Sequence, residues 1–245
     1  MLRIAIQAKG RLNEESIGLL AEAGVSIEDS KRKLLARSDG FPLEVLYLRD
    51  DDIPQAVSMG VADLGVVGLN EVEEKGFDVE IVHRLGFGKC RLSLAVPKTE
   101  PYDGLSYFEG KRVATSYPVI LSRFFREKGI AAEIHEIAGS VEIAPSVGMA
   151  DAIFDIVSSG GTLVTNGLKE VEQVLFSEAV LIGGRALSDD KRQILSQLLF
   201  RIEAVERSRG LKYVLMNLPH AKIPEAVRIL PGMKSPTILP LAQEG

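Results

Sequence analysis

The stretch SMGVADLGVVG (residues 58–68) returns in altered form as SVGMADAIFDIV (residues 146–157). Each reads as the end of a helix, a glycine that lets the chain turn, and an apolar strand entered through Ala-Asp. Asp63 and Asp151 occupy equivalent places in the two copies. Two like units this far apart predict two α/β lobes facing each other across a cleft, a common place for ligands.

The surrounding sequence extends the pattern. LRIAI, LEVLYL, VEIVHRL, RLSLAVP and KRVATS read as further strands, while LNEESIGLLAEAG and PVILSRFFREKG carry helical spacing and end at glycine. Strands alternating with helices predict a largely parallel, covered sheet. LSDDKRQILSQLLFRIEAVERSRG is the strongest helix: Ser188 is placed to cap it, and Ile194, Leu195, Leu198, Leu199, Ile202 and Val205 form a stripe suited to a core or a subunit interface. Past Gly210, KYVLMNLP, IPEAVRILPG and SPTILPL read as strand, helix, strand, a fragment too small to bury its own core. The domain reading is residues 1–90 with 178–208 as lobe I, 91–177 as lobe II, and 209–245 as a partial third unit.

Bulk properties narrow the function classes. Hydrophobic residues at 46% and charged residues at 26% are ordinary for a soluble globular protein. A net charge of -5 argues against a broad nucleic-acid-binding surface while permitting a local basic pocket. Cys90 is the single cysteine, so no intramolecular disulfide is expected, and a reducing cytoplasm is the simplest home. No segment has the apolar length of a membrane span. His83, His135 and His220 are scattered, without the spacing of a transition-metal cage.

The second copy of the repeat runs on into a chemically suggestive turn, DIVSSGGTLVTNG (residues 155–167). Asp151 and Asp155 lie four apart and are predicted to share a face. Small and glycine residues then leave main-chain N–H groups free to line a concave turn, with the Ser158, Ser159 and Thr162 hydroxyls beside them. A phosphate monoester fits such a nest, and the carboxylates suit sugar hydroxyls or hydrated Mg²⁺ bridging to a diphosphate. Phosphate, sugar diol and diphosphate together describe phosphoribosyl pyrophosphate. A glycine-rich turn with two solvated aspartates is the plain alternative.

Here D-x-V-x-[ST]-G-x-T-L-x-x-N-G-L resembles the phosphoribosyl-pyrophosphate loop of the ATP phosphoribosyltransferase family. QAKGRL, RDDDIPQAVSMGVADLGVVG, LGFGKCRLSLAVP, KRVATSYP and GSVEIAPSVGMADAI resemble further signature stretches of that family, in its order. The resemblance implies a two-lobed architecture like that of type II periplasmic binding proteins, with part of an ACT-like α+β regulatory unit at the C-terminus. It implies condensation of ATP with phosphoribosyl pyrophosphate, joining adenine N1 to ribose C1 with inversion, as the first step of histidine biosynthesis.

By the same resemblance Asp151, Asp155, Ser158, Ser159, Gly160, Gly161, Thr162 and Leu163 hold the phosphoribosyl donor. Lys9, Arg32 and Arg49 are the catalytic cations, Arg49 for the departing pyrophosphate. Lys9, Arg11 and Glu142 face ATP. Mg²⁺ is the expected cofactor, near Asp151, Asp155 or Glu142, and a homo-oligomer, dimer or hexamer, with histidine as inhibitor is the expected regulation. Two rivals stand: a non-catalytic two-lobed ligand-binding or effector-sensing domain, and a phosphoribosyltransferase with another acceptor base.

Overall fold

The computed structural model describes residues 1–28, 34–230, 232 and 236–239. Residues 1–206 form one compact unit and 207–245 a second. The first unit contains two sheets, and the chain crosses between them twice.

In lobe I, β1 (Leu2–Gln7) lies between β4 (Leu43–Leu48) and β5 (Leu64–Gly68), and both pairings are parallel. These strands are covered on both faces, which is why they read as apolar runs rather than alternating ones. One face packs Ile4, Ile6, Val45 and Val66 against α1 (Arg11–Glu22) and α6 (Asp189–Arg209) through Leu19, Leu20, Leu198 and Ile202. The other packs Ala5, Val67 and Val180 against Ile53 and Val57 of α2 (Ile53–Ser58). Gly65 is required there, since a Cβ would lie 2.5 Å from Cγ2 of Ile53.

The rest of this sheet is antiparallel, so the expectation of a largely parallel sheet holds only at its centre. At one edge β3 (Leu35–Asp39) pairs with β4 and β2 (Ser26–Ile27) with β3, and β12 (Ala179–Gly183) and β6 (Glu80–Arg84) add the other. The physical reason is connectivity. The strands beside each crossover between lobes run against their neighbours because the chain is leaving or returning there, not making a helix-linked right-handed turn.

Lobe II has the strand order β11 (Leu168–Ser177), β7 (Cys90–Pro97), β10 (Ala152–Val157), β8 (Arg112–Thr115), β9 (Glu133–Glu136). β8 pairs in parallel with β9 and β10, and β7 runs antiparallel to β10 and β11. α4 (Pro118–Lys128) covers one face, burying Ile120, Leu121 and Phe125 against Leu92, Leu94, Val113 and Phe154. The other face is built from small residues, Ala95, Ala114, Ala144 and Ala150, with Val157 and Leu163. A single-turn helix α5 (Gly161–Thr165) and a 3-10 turn at Val141–Ile143 sit over it.

The sequence repeat is a structural repeat. Asp63 donates its N–H to the Arg3 carbonyl (2.9 Å) and accepts the Arg3 N–H on Oδ2 (2.9 Å). Asp151 does the same with Arg112, at 2.8 and 2.9 Å. Each arginine then reaches a carbonyl just ahead of its aspartate, Arg3 to Val61 and Arg112 to Gly148, both at 3.0 Å. In both lobes, therefore, the Ala-Asp entry clamps two neighbouring parallel strands together at their starting ends.

In the second unit the described residues contain a 3-10 turn at His220–Lys222 and one helix, α7 (Ile223–Ile229). The helix lies where IPEAVRILPG predicts one. The flanking segments, read as strands from their sequence, form none among the described residues. A strand exists only by pairing, and neither segment has a ladder partner there.

Candidate functional site

In open α/β sheets ligands collect where strands end, and the predicted residues mostly fall at those ends. In lobe I the chain leaves β1 through Lys9, Gly10 and Arg11, and β4 through Arg49. Lys9 is exposed, Arg11 pairs with Glu15 one helical turn on (3.3 Å), and Arg49 pairs with Asp51 (3.1 Å) while 79% exposed. Such surface pairs are worth only about 0–1 kcal/mol. These guanidinium groups can therefore exchange a carboxylate partner for a phosphate at little cost. Arg32 lies outside the described residues.

In lobe II, β10 ends at Val157 and the chain turns through Ser158, Ser159 and Gly160 into α5. Gly160 adopts φ +81°, a left-handed conformation that a side chain would strain. The N–H groups of Ser159, Gly160, Gly161 and Thr162 find no acceptor among the described residues, and Ser158, Ser159, Gly161 and Thr162 are exposed. The far side of the turn is tied down: Val164 donates to the Gly160 carbonyl (3.1 Å), and the Asn166 amide and Thr165 hydroxyl donate to the Thr162 and Gly161 carbonyls. Leu163 is buried beside Val157 and Ile153, so its side chain anchors the loop and only its main chain faces the site.

Asp155 stands opposite Ser93 on β7, on the small-residue face that carries α5. Burial is the main cause that lifts its carboxyl from 3.8 to about 6; the Ile156 N–H, donated to Oδ1 at 2.8 Å, opposes this, and the charge of Glu142 adds to it. Glu142 occupies the 3-10 turn, entered through Ser140 at φ +51°. Asp155, Glu142 and the glycine turn thus gather at one sheet edge.

The structure separates Asp151 from that group. It precedes β10 while Asp155 lies near the strand's end, about 13 Å along at the usual rise. Its carboxylate receives the Arg112 guanidinium (2.9 and 3.2 Å) and N–H, which hold it below the usual range for an aspartic acid. The four-residue spacing does put both acids on one face, but at opposite ends of it. Asp151 belongs to the strand clamp and not to the loop.

A buried polar network escaped the sequence reading. Asn70, at the start of α3 (Leu69–Lys75) in lobe I, donates to the Tyr117 hydroxyl of lobe II (3.2 Å) and exchanges hydrogen bonds with Ser177 at the crossover (2.7 and 3.1 Å). The Tyr117 hydroxyl donates to Glu71 (2.9 Å), and burial raises both groups above their ordinary values. Glu74 accepts the N–H groups of Val119 and Ile120 in the first turn of α4, both at 2.9 Å, and Glu73 pairs with Arg123 (3.0 Å). These contacts join the outgoing ends of β5 and β8, so the ligand-side edges of the two sheets face each other. The one available signal was the run LNEVEEK placed directly after a buried strand. A cavity of about 510 Å³ between α4 and β9, lined by Arg123, Arg126 and Glu136, lies on the opposite face of lobe II from the loop.

The family model described as HisG, ATP phosphoribosyltransferase, matches residues 49–204, and that described as HisG, C-terminal domain, matches 208–245. ATP phosphoribosyltransferase of Bacteroides thetaiotaomicron is 62% identical over the whole chain, which covers 87% of that relative; the Cytophaga hutchinsonii enzyme is 52% identical, with 86% covered. Among solved structures, a chain of the Thermotoga maritima HisG:HisZ complex superposes with a TM-score of 0.73 and 29% identity, over 84% of this chain and 99% of that one. An amino-acid ABC transporter's substrate-binding protein superposes at 0.56 with 12% identity, over 85% and 94%, a likeness of fold alone. A chain with this two-sheet fold, this loop and relatives matching along its whole length belongs to the ATP phosphoribosyltransferase family.

Proposed function

We propose that this protein transfers the 5-phosphoribosyl group of phosphoribosyl pyrophosphate to N1 of ATP, releasing pyrophosphate, as the first step of histidine biosynthesis. The observation that carries the reading is the turn from Ser158 to Thr162: N–H groups unpartnered among the described residues, beside a half-buried Asp155, in a chain of this family. In this reading the turn holds the 5-phosphate through N–H groups and hydroxyls, and Asp155 and Glu142 accept hydrogen bonds from the ribose hydroxyls. Lys9 and Arg49, at the edge of lobe I, meet the diphosphate, and Arg11 meets the phosphates of ATP. Arg32 is expected to face the substrate phosphates.

The N1 lone pair forms the new bond to C1 while the C1–O bond breaks and the diphosphate leaves with its electron pair. The charge gained by adenine is relieved by loss of a proton from the exocyclic amine to water. No strong base is needed for attack, so catalysis rests on positioning two anionic substrates and stabilising the departing charge. Among the described residues no group of three or more His, Cys, Asp or Glu side chains converges. Mg²⁺ is usually held by one or two carboxylates with substrate phosphates, and in our reading it rides on the diphosphate oxygens of the substrate, with Asp155 and Glu142 the carboxylates near it.

Among the described residues no helix is long and apolar enough to cross a membrane. We read the protein as a cytoplasmic homo-oligomer whose C-terminal unit takes histidine as inhibitor, as the match to the family's C-terminal domain suggests. The fold is shared with solute-binding proteins, so the loop and Arg49, which a sensor of amino acids does not need, favour an enzyme. Incubation with ATP, phosphoribosyl pyrophosphate and Mg²⁺, with pyrophosphatase added, should raise the absorbance of the modified adenine. Donor binding without turnover would favour a binding module, and turnover only with another base would favour a different acceptor.

A further inference from the structure

We infer that Arg91 is a positioning residue for the phosphate loop, fixing the peptide plane between Ser158 and Ser159 so that the loop's donors face one way. The inference deepens the proposed function and rests on it for the identity of the ligand. Arg91 on β7 stands opposite Val157, one residue before the turn. Its Nε and Nη2 both donate to the carboxylate of Glu170 on β11, each at 2.5 Å, and its Nη1 donates to the Ser158 carbonyl at 3.2 Å. Glu170 is itself oriented by the Ser93 hydroxyl (2.8 Å), and Ser93 is buried.

A guanidinium is planar and its donors are fixed relative to one another, so binding two of them to Glu170 determines where the third points. The peptide unit is planar too, with C=O and N–H opposed. Holding the Ser158 carbonyl toward β7 therefore turns the Ser159 N–H away from it. The ladder of β7 with β10 ends at Val157, so this bond extends the hold of the sheet one residue into the turn. Because Glu170 neutralises Arg91, the clamp orients the loop without adding a net charge that would hold substrate and product alike.

Arg91→Lys tests this, since one ammonium cannot span Glu170 and the Ser158 carbonyl in the same geometry. Glu170→Gln, which frees the fork from the other side, is the second variant should the first fail to fold. The expected result is a KM for phosphoribosyl pyrophosphate raised about tenfold, with kcat and the KM for ATP within about twofold. In the unliganded protein, amide exchange at Val164 and Asn166, whose N–H groups bond the Gly160 and Thr162 carbonyls, should quicken about tenfold while that of β7 is unchanged. Unchanged exchange at those amides overturns the proposal whether or not the wild type turns over, as does an equal rise in both KM values. Faster exchange in a variant of a wild type that binds no phosphoribosyl pyrophosphate supports the clamp and overturns the functional reading alone.

Discussion

Asp155 carries a stability cost that its removal should expose. Burial lifts its carboxyl from 3.8 to about 6, which at about 1.4 kcal/mol per pH unit is worth about 3 kcal/mol. The sign follows from proton binding: between these values the folded state keeps a proton that the unfolded state has lost. Folding is therefore penalised progressively as pH rises from about 4 to 6, and the full penalty persists above that. Asp155→Asn keeps an oxygen for the Ile156 N–H and removes the ionisation. Urea or thermal melts should show the variant more stable than wild type at pH 8, by up to about 3 kcal/mol or about 6–12 °C. At pH 4 the two should coincide. The same variant should lose about 100-fold in kcat/KM for phosphoribosyl pyrophosphate, the scale of a hydrogen bond to a charged acceptor. A variant equally stable at both pH values, or one stabilised with unchanged kinetics, would refute the assignment of Asp155 as a buried acid kept for substrate.

Arg49→Ala should reduce turnover at least tenfold without shifting the melting temperature, because the exposed side chain's partner among the described residues is Asp51 alone, a weak surface pair; steady-state kinetics with a circular-dichroism melt checks both halves. Gly160→Val forces a branched side chain into φ +81°, costing about 1–2 kcal/mol of local strain, and should raise the KM for phosphoribosyl pyrophosphate far more than that for ATP. Asp151→Ala should do the reverse: about 1–3 kcal/mol of stability lost with its hydrogen bonds to Arg112, seen as a lower urea midpoint, and kinetic constants for both substrates near those of the wild type.

How far the sequence could be read depended on whether a feature was local. The strands and helices of both lobes follow from apolar runs and glycine stops, and the loop's form follows from Gly160 and the small residues around it. What was not legible was the third dimension at strand level. Four-residue spacing correctly put Asp151 and Asp155 on one face, yet only the register of β10 shows that they sit at opposite ends of it. The repeat itself held the correction, because Asp63 and Asp151 share a position and each bonds the arginine of the neighbouring strand. Asn70, Tyr117 and Ser177 meet across separations of 47 and 107 residues, which no periodicity reports. Arg91 and Ser93 did leave a trace, polar residues alternating with Leu92 and Leu94, but only the partner Glu170 gives the alternation a purpose.

Glu74 caps a helix that belongs to the other half of the molecule, and this sets a limit on breathing. Swinging the halves apart as a solute-binding protein does would strip Val119 and Ile120 of their acceptor. It would also strand Glu71 from the Tyr117 hydroxyl. At about 1.5–3 kcal/mol for each bond to a charged group, wide opening is strongly disfavoured. Relative motion of the halves is therefore confined to bending that leaves these bonds intact, a narrower range than a free pair of jaws would have.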